Sequence, residues 1–520
     1  MPGPAPAVGV VNPWIVASAV MISTFMEVLD TTVVNVSLPH IAGSLSATPD
    51  EATWALTSYL VANAIILPMT GWLANRFGRK RLLMGSVAGF TLASFFCGFA
   101  PNLPTLIIFR IIQGATGGGL QPLSQAILLE VFPPQDRGKA MAFWALGIVV
   151  APMLGPVLGG WLTDSYSWRW VFYINVPIGI IALLMTQAFV FDPPYIKRRA
   201  GGVDYWGMGL LVVGIGALQI MLDKGQEEDW FSSRFIVTLA VLAAVGLVCF
   251  VIRELTAEHP IVDLRVFRYR TYATGVFLMT VLGFVLYGST VLVPLMLQTL
   301  LGYPAVKAGI VMLPRGLGSF LMMPIVGILM SKIEPRRLLG AGIVIASMSF
   351  WKFSHLSLDA GYWDFFVPLI IQGASIGLLF VPLTTITNDP VPKEEIGNAT
   401  SLFNLMRNIG ASIGIASVTT LLSRHQQVHI NDLGSHVTSF DQQTQSMIQA
   451  MKASFIAAGS DPATALQQAY AAVMGLVQRH AYMLAFNDAF RFMMIVFALM
   501  LPLIFIMKRP QHKGGPITAH

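Results

Sequence analysis

The stretch Phe25-Met26-Glu27-Val28-Leu29-Asp30-Thr31-Thr32-Val33-Val34-Asn35 places two carboxylates inside the first long apolar segment of the chain. The spacing of Ser23, Glu27 and Asp30 predicts that a helix carries them on one polar stripe. If this segment spans a bilayer, a charged side chain there is costly, so the stripe must face protein or water and indicates function. A proton site, a substrate site and a structural ion pair are the alternatives.

The composition is that of a polytopic membrane protein. The 520 residues are 55% hydrophobic and only 11% charged, with a mean hydropathy of +0.68, whereas a soluble domain carries about a quarter charged residues. Roughly 14 apolar windows of spanning length can be drawn. Because period-2 alternation is absent, the predicted spans are helices and not barrel strands. Cys97 and Cys249 lie in apolar windows and indicate no disulfide framework.

The distribution of basic residues predicts the orientation of the chain. The predicted spans lie near residues 14–36, 54–74, 82–100, 104–129, 139–162, 168–190, 206–222, 234–252, 272–296, 306–330, 337–355, 364–388, 397–421 and 484–507. About 20 of the 32 lysines and arginines fall on the side that holds both termini, which predicts cytoplasmic termini. The net charge of +6 therefore reflects topology and not nucleic-acid binding. No Walker A pattern occurs, which argues against ATP-driven transport.

The sequence contains an internal repeat. Gly71 to Leu82 matches Gly327 to Leu338, and Ile111-Ile112-Gln113-Gly114-Ala115-Thr116 matches Ile370-Ile371-Gln372-Gly373-Ala374-Ser375. The repeat predicts two six-helix halves of parallel topology that enclose a site at their interface. The predicted domains are an N-terminal bundle (1–200), an inserted helix pair (201–257) and a C-terminal bundle (258–520).

The C-terminal bundle contains a polar segment, about 424–487, that we predict as an outer loop. Asp461-Pro462 within it is typical of a helix start, with an N-cap followed by a first-turn proline. A helical cap or docking element and a solvated spacer remain alternatives. No loop is large enough for a separate catalytic domain, and we predict neither a catalytic residue nor a metal site.

Several motifs together resemble the major facilitator superfamily, in particular the EmrB-type subgroup of its 14-span drug:proton antiporters. The loop Gly71 to Lys80 resembles the cytoplasmic loop signature, and Arg110-Ile111-Ile112-Gln113-Gly114 resembles the fourth-span signature. Leu29 to Pro39 and Trp168 to Gly179 are similar to motifs of the 14-span antiporters. Gly147-x7-Gly155-Pro156-x2-Gly159-Gly160 resembles the antiporter signature of the fifth span. The resemblance covers nearly the whole chain.

The resemblance implies gating and packing roles for the loop and the fifth span. The family loop commonly has aspartate where Asn75 stands, so charge-based gating through this position is in doubt. Gating or packing roles are implied for Gly71, Arg76, Gly78, Arg79, Gly155, Pro156, Gly159 and Gly160. The arginines could equally be topology determinants, and the glycines allow close helix contact or, alternatively, touch substrate.

Helix geometry predicts a charged cluster in the outer half of the N-terminal bundle. Asp30 lies 16 residues beyond Trp14, about 24 Å along a helix, and Arg110 in the antiparallel fourth span comes out at about the same depth. We predict that Glu27, Asp30 and Arg110 cluster, that one acid pairs with Arg110, and that the two acids titrate as one unit with an exchangeable proton. Asp30 is the expected indispensable acid. A permanent ion pair is the alternative.

Further polar residues are candidates for a substrate cavity. Arg315 and Arg407 are embedded in predicted spans of the second half, where they could attract anionic substrates or instead bond carbonyl groups and water. The complete set of cavity candidates is Gln113, Gln121, Arg315, Gln372, Asn404 and Arg407.

The resemblance implies a multi-pass bacterial inner-membrane protein, not an enzyme, that exports hydrophobic or amphiphilic drugs in exchange for protons. No cofactor is implied, because the proton gradient supplies the energy. A periplasmic membrane-fusion adaptor and an outer-membrane channel are the implied partners if the host has two membranes, and no nucleic acid is expected. A metabolite or lipid transporter on the same fold is one alternative, and a non-transporting membrane scaffold or receptor is another.

Overall fold

A computed structural model describes residues 12–192, 202–438 and 440–507. Within these ranges every regular element is a helix. The first part contains α1 (Pro13–Ser44), α2 (Pro49–Phe77), α3 (Arg79–Gly98), α4 (Leu103–Gly117), α5 (Leu120–Val131), α6 (Arg137–Ser165), α7 (Trp170–Tyr173) and α8 (Asn175–Phe189). It is followed by α9 (Tyr205–Lys224), α10 (Arg234–Thr256), α11 (Arg270–Leu295), α12 (Ala305–Leu329), α13 (Pro335–Phe353), α14 (Tyr362–Asn388), α15 (Ile396–His436), α16 (Gln442–Ala457) and α17 (Pro462–Ile504).

Each of the predicted spans falls on one of these helices or on two consecutive ones. In the described residues, 12 helices are long and apolar enough to cross a membrane on length and composition alone. The fourth predicted span is interrupted between α4 and α5 at Gly118-Gly119, residues with low helix propensity. The eleventh predicted span is α13, which carries Arg336, Arg337 and Lys352. These charges lower the hydropathy of α13, and it is not among the 12 helices. An all-α membrane fold is confirmed, whereas the count of 14 spans stays a prediction.

Local sequence accounts for where several helices begin. Thr48 Oγ1 accepts a hydrogen bond from Glu51 N, and the Glu51 carboxylate accepts one from Thr48 N. This reciprocal pair is a capping box at the start of α2. Asn102 caps α4 in a similar way, by accepting from Thr105 N. Asp461 accepts from two backbone N–H groups at the start of α17, which confirms the predicted helix start. Hydrogen bonds from Thr464 hold the pKa of the Asp461 carboxyl below its ordinary value.

The two halves are related as the repeat predicts. A Cβ atom on Gly114 in α4 would overlap the Tyr59 carbonyl of α2, and one on the matching Gly373 in α14 would overlap the Arg315 carbonyl of α12. Across the interface between the halves, α2 packs on α15 and α12 packs on α6. The two interface pairs are therefore equivalent under the repeat.

Of the inserted helices α9 and α10, α9 packs on both α2 and α15, and α10 packs on α9. Gln219 Nε2 donates to Ser412 Oγ of α15 (2.7 Å), and Lys224 Nζ donates to Thr53 Oγ1 of α2 (2.5 Å). Trp230 Nε1, just beyond α9, also donates to the α15 residue Thr420 (2.9 Å). Contacts with both halves thus come from α9 and the turn that follows it. The predicted boundary of the pair near residue 200 lies outside the described residues, as do residues 1–11 and 508–520.

The segment 424–487 is not a loop in its described part. The helix α15 continues to His436, α16 occupies Gln442–Ala457, and α17 already begins at Pro462. The sequence left a helical element and a solvated spacer open for this segment, because its Gln- and Ser-rich composition fits both. Such polar residues can continue a helix that packs on another, as α16 does on α17. This result favours a helical element over a solvated spacer.

Three of the four motif glycines in α6 are at close contacts with α1. A Cβ atom on Gly147 would lie 2.9 Å from Met21 Cγ. A Cβ atom on Gly155 would overlap Thr32 of α1, and one on Gly159 would lie 2.9 Å from the Val33 carbonyl oxygen. A Cβ atom on Gly160 would meet nothing within 4 Å, so the expected packing role of Gly160 is wrong. Pro156 lies within α6, which continues unbroken to Ser165.

This difference makes Gly159 and Gly160 a matched pair for a stability test. Overpacking typically costs about 1–3 kcal/mol, so we expect Gly159→Leu to lower the thermal unfolding temperature of the detergent-purified protein. Gly160→Leu should leave the unfolding temperature near that of the wild type. A Gly159→Leu protein as stable and as active in efflux as the wild type would contradict the α1–α6 contact.

Candidate functional site

The centre of the N-terminal half is an ion pair between Asp30 of α1 and Arg110 of α4. Arg110 Nη1 lies 2.6 Å from Asp30 Oδ2, and neither side chain is exposed at all. The guanidinium group lies over the Tyr59 ring, 4.1 Å from its centroid, and Phe172 covers it at 5.7 Å. Arg110 Nε also donates to the Ala55 carbonyl (3.0 Å). The predicted pairing of one acid with Arg110 is therefore present.

Two amides complete the surroundings of this pair. Gln113 Nε2 and Asn175 Nδ2 both donate to Asp30 Oδ1, at 3.0 and 2.8 Å, while Arg110 Nη1 donates to Gln113 Oε1 (2.8 Å). Asn175 also donates to Ser94 Oγ of α3 (3.0 Å). One polar network thus connects α1, α3, α4 and α8. The sequence analysis missed Asn175, although it stands in the quoted Trp168 to Gly179 motif.

Glu27 does not belong to this network, so the predicted three-residue cluster is wrong in that respect. Residues three apart on a helix differ by about 60° in direction. Glu27 therefore points toward α2, where Asn63 Nδ2 donates to its Oε1 (2.9 Å). Gln121 and Arg407 also lie close to Glu27. The second acid is consequently directed to the interface between the halves, and Arg110 holds Asp30 alone.

The cavity candidates occupy three separate places in this conformation. Arg407 Nη2 of α15 donates to Gln121 Oε1 of α5, and Asn404 Nδ2 donates to Gln125 Oε1 (2.7 Å), so these residues lie between the halves. Gln113 is buried in the ion-pair network of the N-terminal half. Gln125 was not predicted from the sequence.

The other two candidates, Arg315 and Gln372, lie inside the C-terminal half. Arg315 Nη2 donates to the Leu286 carbonyl (3.2 Å), as its structural alternative predicted. Both side chains border a gap of about 10 Å³. That volume is about the space of one water molecule and far below the 300–1,000 Å³ or so of a small-molecule site. The predicted six-residue cavity is therefore not assembled in this conformation.

The halves are in contact at the end that the charge distribution predicts to be cytoplasmic. A Cβ atom on Gly71 of α2 would lie 2.7 Å from the Asn398 backbone of α15, and one on Gly327 of α12 would lie 3.2 Å from Lys139 Cα of α6. Arg137 and Asp389 approach within 3.9 Å across the same contact. Glycine at positions 71 and 327 therefore permits this end to close.

The loop motif next to Gly71 forms two further contacts. Gly78 has φ +90°, a left-handed conformation that favours glycine. The carboxylate of Asp192 accepts from Lys80 N (2.8 Å) beside it. Arg79 is buried and forms an ion pair with Glu130 of α5. Glu130 and Asp192 were not predicted, because they lie about 50 and 110 residues along the chain from the motif.

A cleft of about 400 Å³ lies between α2, α3 and α4 in the N-terminal half, away from the interface between the halves. Its walls are mainly apolar, with Ile66, Leu73 and Leu82 among them, and Arg76 and Arg81 also border it. The volume is in the range of small-molecule sites. Arg76 therefore borders a cleft as well as standing in the loop motif.

Comparisons with known proteins agree with this architecture. The family model of the Major Facilitator Superfamily matches residues 20–415. The "Multidrug export protein EmrB" of Haemophilus influenzae is 42% identical over 435 residues, which are 83% of this chain and 85% of that protein. The "Fatty acid resistance protein FarB" of Neisseria gonorrhoeae is 37% identical over 98% of this chain and 99% of its own.

A solved structure shows the same fold. The crystal structure of the human organic anion transporter MFSD10 superposes with a TM-score of 0.59, covers 94% of this chain and 99% of its own, and is 11% identical in sequence. At that identity the similarity concerns the fold alone. On the family match and the near full-length relatives, the chain belongs to the Major Facilitator Superfamily and to its EmrB-type group of multidrug export proteins.

Proposed function

We propose that this protein is a proton-coupled antiporter that exports hydrophobic or amphiphilic compounds across the bacterial inner membrane. The observation that carries the proposal is the buried Asp30–Arg110 pair with its two amide donors, in a chain similar over most of its length to multidrug export proteins. Charged side chains within membrane spans are costly, and proton relays are one of their main uses.

The two acids take different parts in the proposed coupling. Asp30 binds the proton when Arg110 leaves it, because a carboxylate without its counter-ion in a buried site favours the neutral form. Glu27 lies at the interface between the halves, near Gln121 and Arg407. In this proposal it connects the protonation of Asp30 to the contact between the halves. Both termini are cytoplasmic in this proposal. Export then proceeds from the cytoplasm to the outside.

The proton role predicts a specific separation of activities in Asp30→Asn. In proteoliposomes we expect this variant to lose drug transport driven by an imposed pH gradient but to keep drug–drug counterflow, which needs no proton. Glu27→Gln should retain part of the gradient-driven transport. Undiminished gradient-driven transport in Asp30→Asn would refute the proton role, and loss of counterflow as well would assign Asp30 to substrate binding or to structure.

Stability is a confounding factor, since removing one member of a buried ion pair costs about 3–5 kcal/mol. The double variant Asp30→Asn/Arg110→Gln removes both charges at similar volume and provides the control. We expect it to unfold at a higher temperature than Asp30→Asn alone and still to lack gradient-driven transport. Recovery of that transport together with stability would show that the pair serves the fold only.

Alternating access requires the contact at Gly71 to form and to separate in each cycle. We expect Gly71→Leu to prevent closure against Asn398 and so to reduce efflux strongly at a normal level of expression. The matched control is Gly340→Leu on α13, where a Cβ atom would meet nothing within 4 Å. Efflux assays in whole cells with quantified membrane protein compare the two. Equal activity of both variants would contradict the proposed gate.

A lipid or fatty-acid exporter is the second candidate function. The relative FarB is named for fatty acid resistance, and the apolar cleft bordered by Arg76 and Arg81 has the character that an anionic amphiphile requires. The proteoliposome panel should therefore include a long-chain fatty acid beside neutral and cationic drugs. Gradient-driven movement of the fatty acid alone would favour this candidate, and no movement of any compound would favour a scaffold or receptor.

Partners are also part of the proposal. EmrB-type transporters are expected to work with a periplasmic membrane-fusion adaptor and an outer-membrane channel in hosts with two membranes. The helical segment formed by the end of α15, by α16 and by the start of α17 offers the adaptor a surface on the predicted outer side.

A further inference from the structure

Two histidines and one aspartate meet where α15 and α17 lie side by side. His425 Nδ1 is 2.9 Å and His429 Nε2 is 2.8 Å from Asp488 Oδ2. The three atoms all lie within 4.8 Å of one another. None of the residues belongs to the proposed transport site, and Asp488 follows His429 by 59 residues in the chain. The cluster is therefore created by the packing of the two helices.

Helix geometry explains why these side chains converge. His425 and His429 are four residues apart and so lie on the same face of α15. That helix continues to His436, beyond the predicted span end near residue 421, while α17 carries Asp488 beside it. The side chains of His425, His429 and Asp488 are 45%, 22% and 23% exposed. The cluster is therefore open at the surface of the protein, close to the predicted outer ends of the two spans near residues 421 and 484.

The donor set is one that divalent transition metals use. Imidazole nitrogens suit zinc, copper, iron and nickel, and two histidines with one carboxylate leave a coordination position for water. In a tetrahedral zinc site with bonds of about 2.1 Å the ligand atoms stand roughly 3.4 Å apart. The two nitrogen–oxygen distances here are shorter than that by about half an ångström. The two imidazole nitrogens lie within 4.8 Å of each other. Rotations of the three side chains that bring all three separations toward 3.4 Å would produce a binding geometry.

The remaining charged neighbour is compatible with a cation. Arg491 Nη1 lies 3.5 Å from Asp488 Oδ1 and leaves Oδ2 directed at the histidines. The arginine side chain is 54% exposed and contacts the carboxylate oxygen that the histidines do not use. Its contact also fixes the orientation of the carboxylate, as outer-shell partners do in known metal sites.

We propose that His425, His429 and Asp488 form a binding site for a divalent transition metal, Zn²⁺ in the first place, that ties the extension of α15 to α17. This inference does not depend on the transport proposal, and it revises the sequence-based expectation of no metal site. The spacing His425-x3-His429 was the available signal. Asp488 could not be assigned to it without the fold.

Zinc titration of the purified full-length protein tests this site. The protein is prepared in detergent, its purification tag is removed because histidine tags bind zinc, and it is treated with a chelator and dialysed. Isothermal titration with Zn²⁺ should then show one site per chain. Loss of an outer-shell partner alone weakens metal affinity about 10–100-fold, so His429→Ala and the His425→Ala/His429→Ala double variant should weaken binding at least that much.

His480→Ala is the matched control, because His480 is exposed on the same helix as Asp488. It should bind zinc as the wild type does. Co²⁺ provides a second measurement, since nitrogen and oxygen ligation produces visible absorption bands that the double variant should lack. Thermal unfolding without metal establishes that each variant is folded. Absence of stoichiometric binding, or binding that persists in a folded double variant, would overturn the proposal and leave a metal-free His–Asp contact.

Discussion

The interaction on which the N-terminal half depends is the ion pair between Asp30 and Arg110. Both groups are removed from water, so their mutual attraction must offset a desolvation cost of several kcal/mol per ion. It can do so because Gln113 and Asn175 donate to the carboxylate and two aromatic rings cover the guanidinium. The same contacts fix α1, α4 and α8 relative to one another. A change in the charge of this pair therefore acts on the packing of the whole bundle.

The two halves share a backbone plan but differ in their buried charges. Equivalent glycines, Gly114 and Gly373, allow equivalent helix contacts, and Gly71 and Gly327 allow the halves to approach at one end. The first half contributes the buried acids Glu27 and Asp30, whereas the second contributes Arg407, which reaches across the interface between the halves to Gln121 near Glu27. Because of this asymmetry, the proposed proton binding occurs in the N-terminal half, and the proposed movement occurs at the interface between the halves. The inserted helix α9 contacts both halves, so it must follow or limit any relative motion of the two.

The sequence was sufficient for the helical membrane fold and for the pairing of one acid with Arg110, because hydropathy predicts the spans and helix geometry predicts the depth of each charge. It did not decide between Glu27 and Asp30 as the partner of Arg110. It was not sufficient for Glu27, since the direction of a side chain around its helix acquires meaning only when the neighbours are placed. Asn175, Glu130 and Asp488 were missed for the same reason: their partners are distant along the chain. The sequence could not decide between a helical element and a spacer for 424–487, because polar composition fits both. It could not show that Gly160 is unpacked, because motif membership does not show which face of a helix is packed.

In the proposed antiport, a transported drug and a proton on Asp30 are bound alternately, so binding of the drug and protonation of Asp30 oppose each other. The most direct measurement records pH in a weakly buffered solution of detergent-purified protein while a transported drug is added. The account predicts that binding of the drug releases protons from the wild type and that Asp30→Asn binds the drug without release. Drug binding with no proton release from the wild type, or with undiminished release from the variant, would contradict the claim.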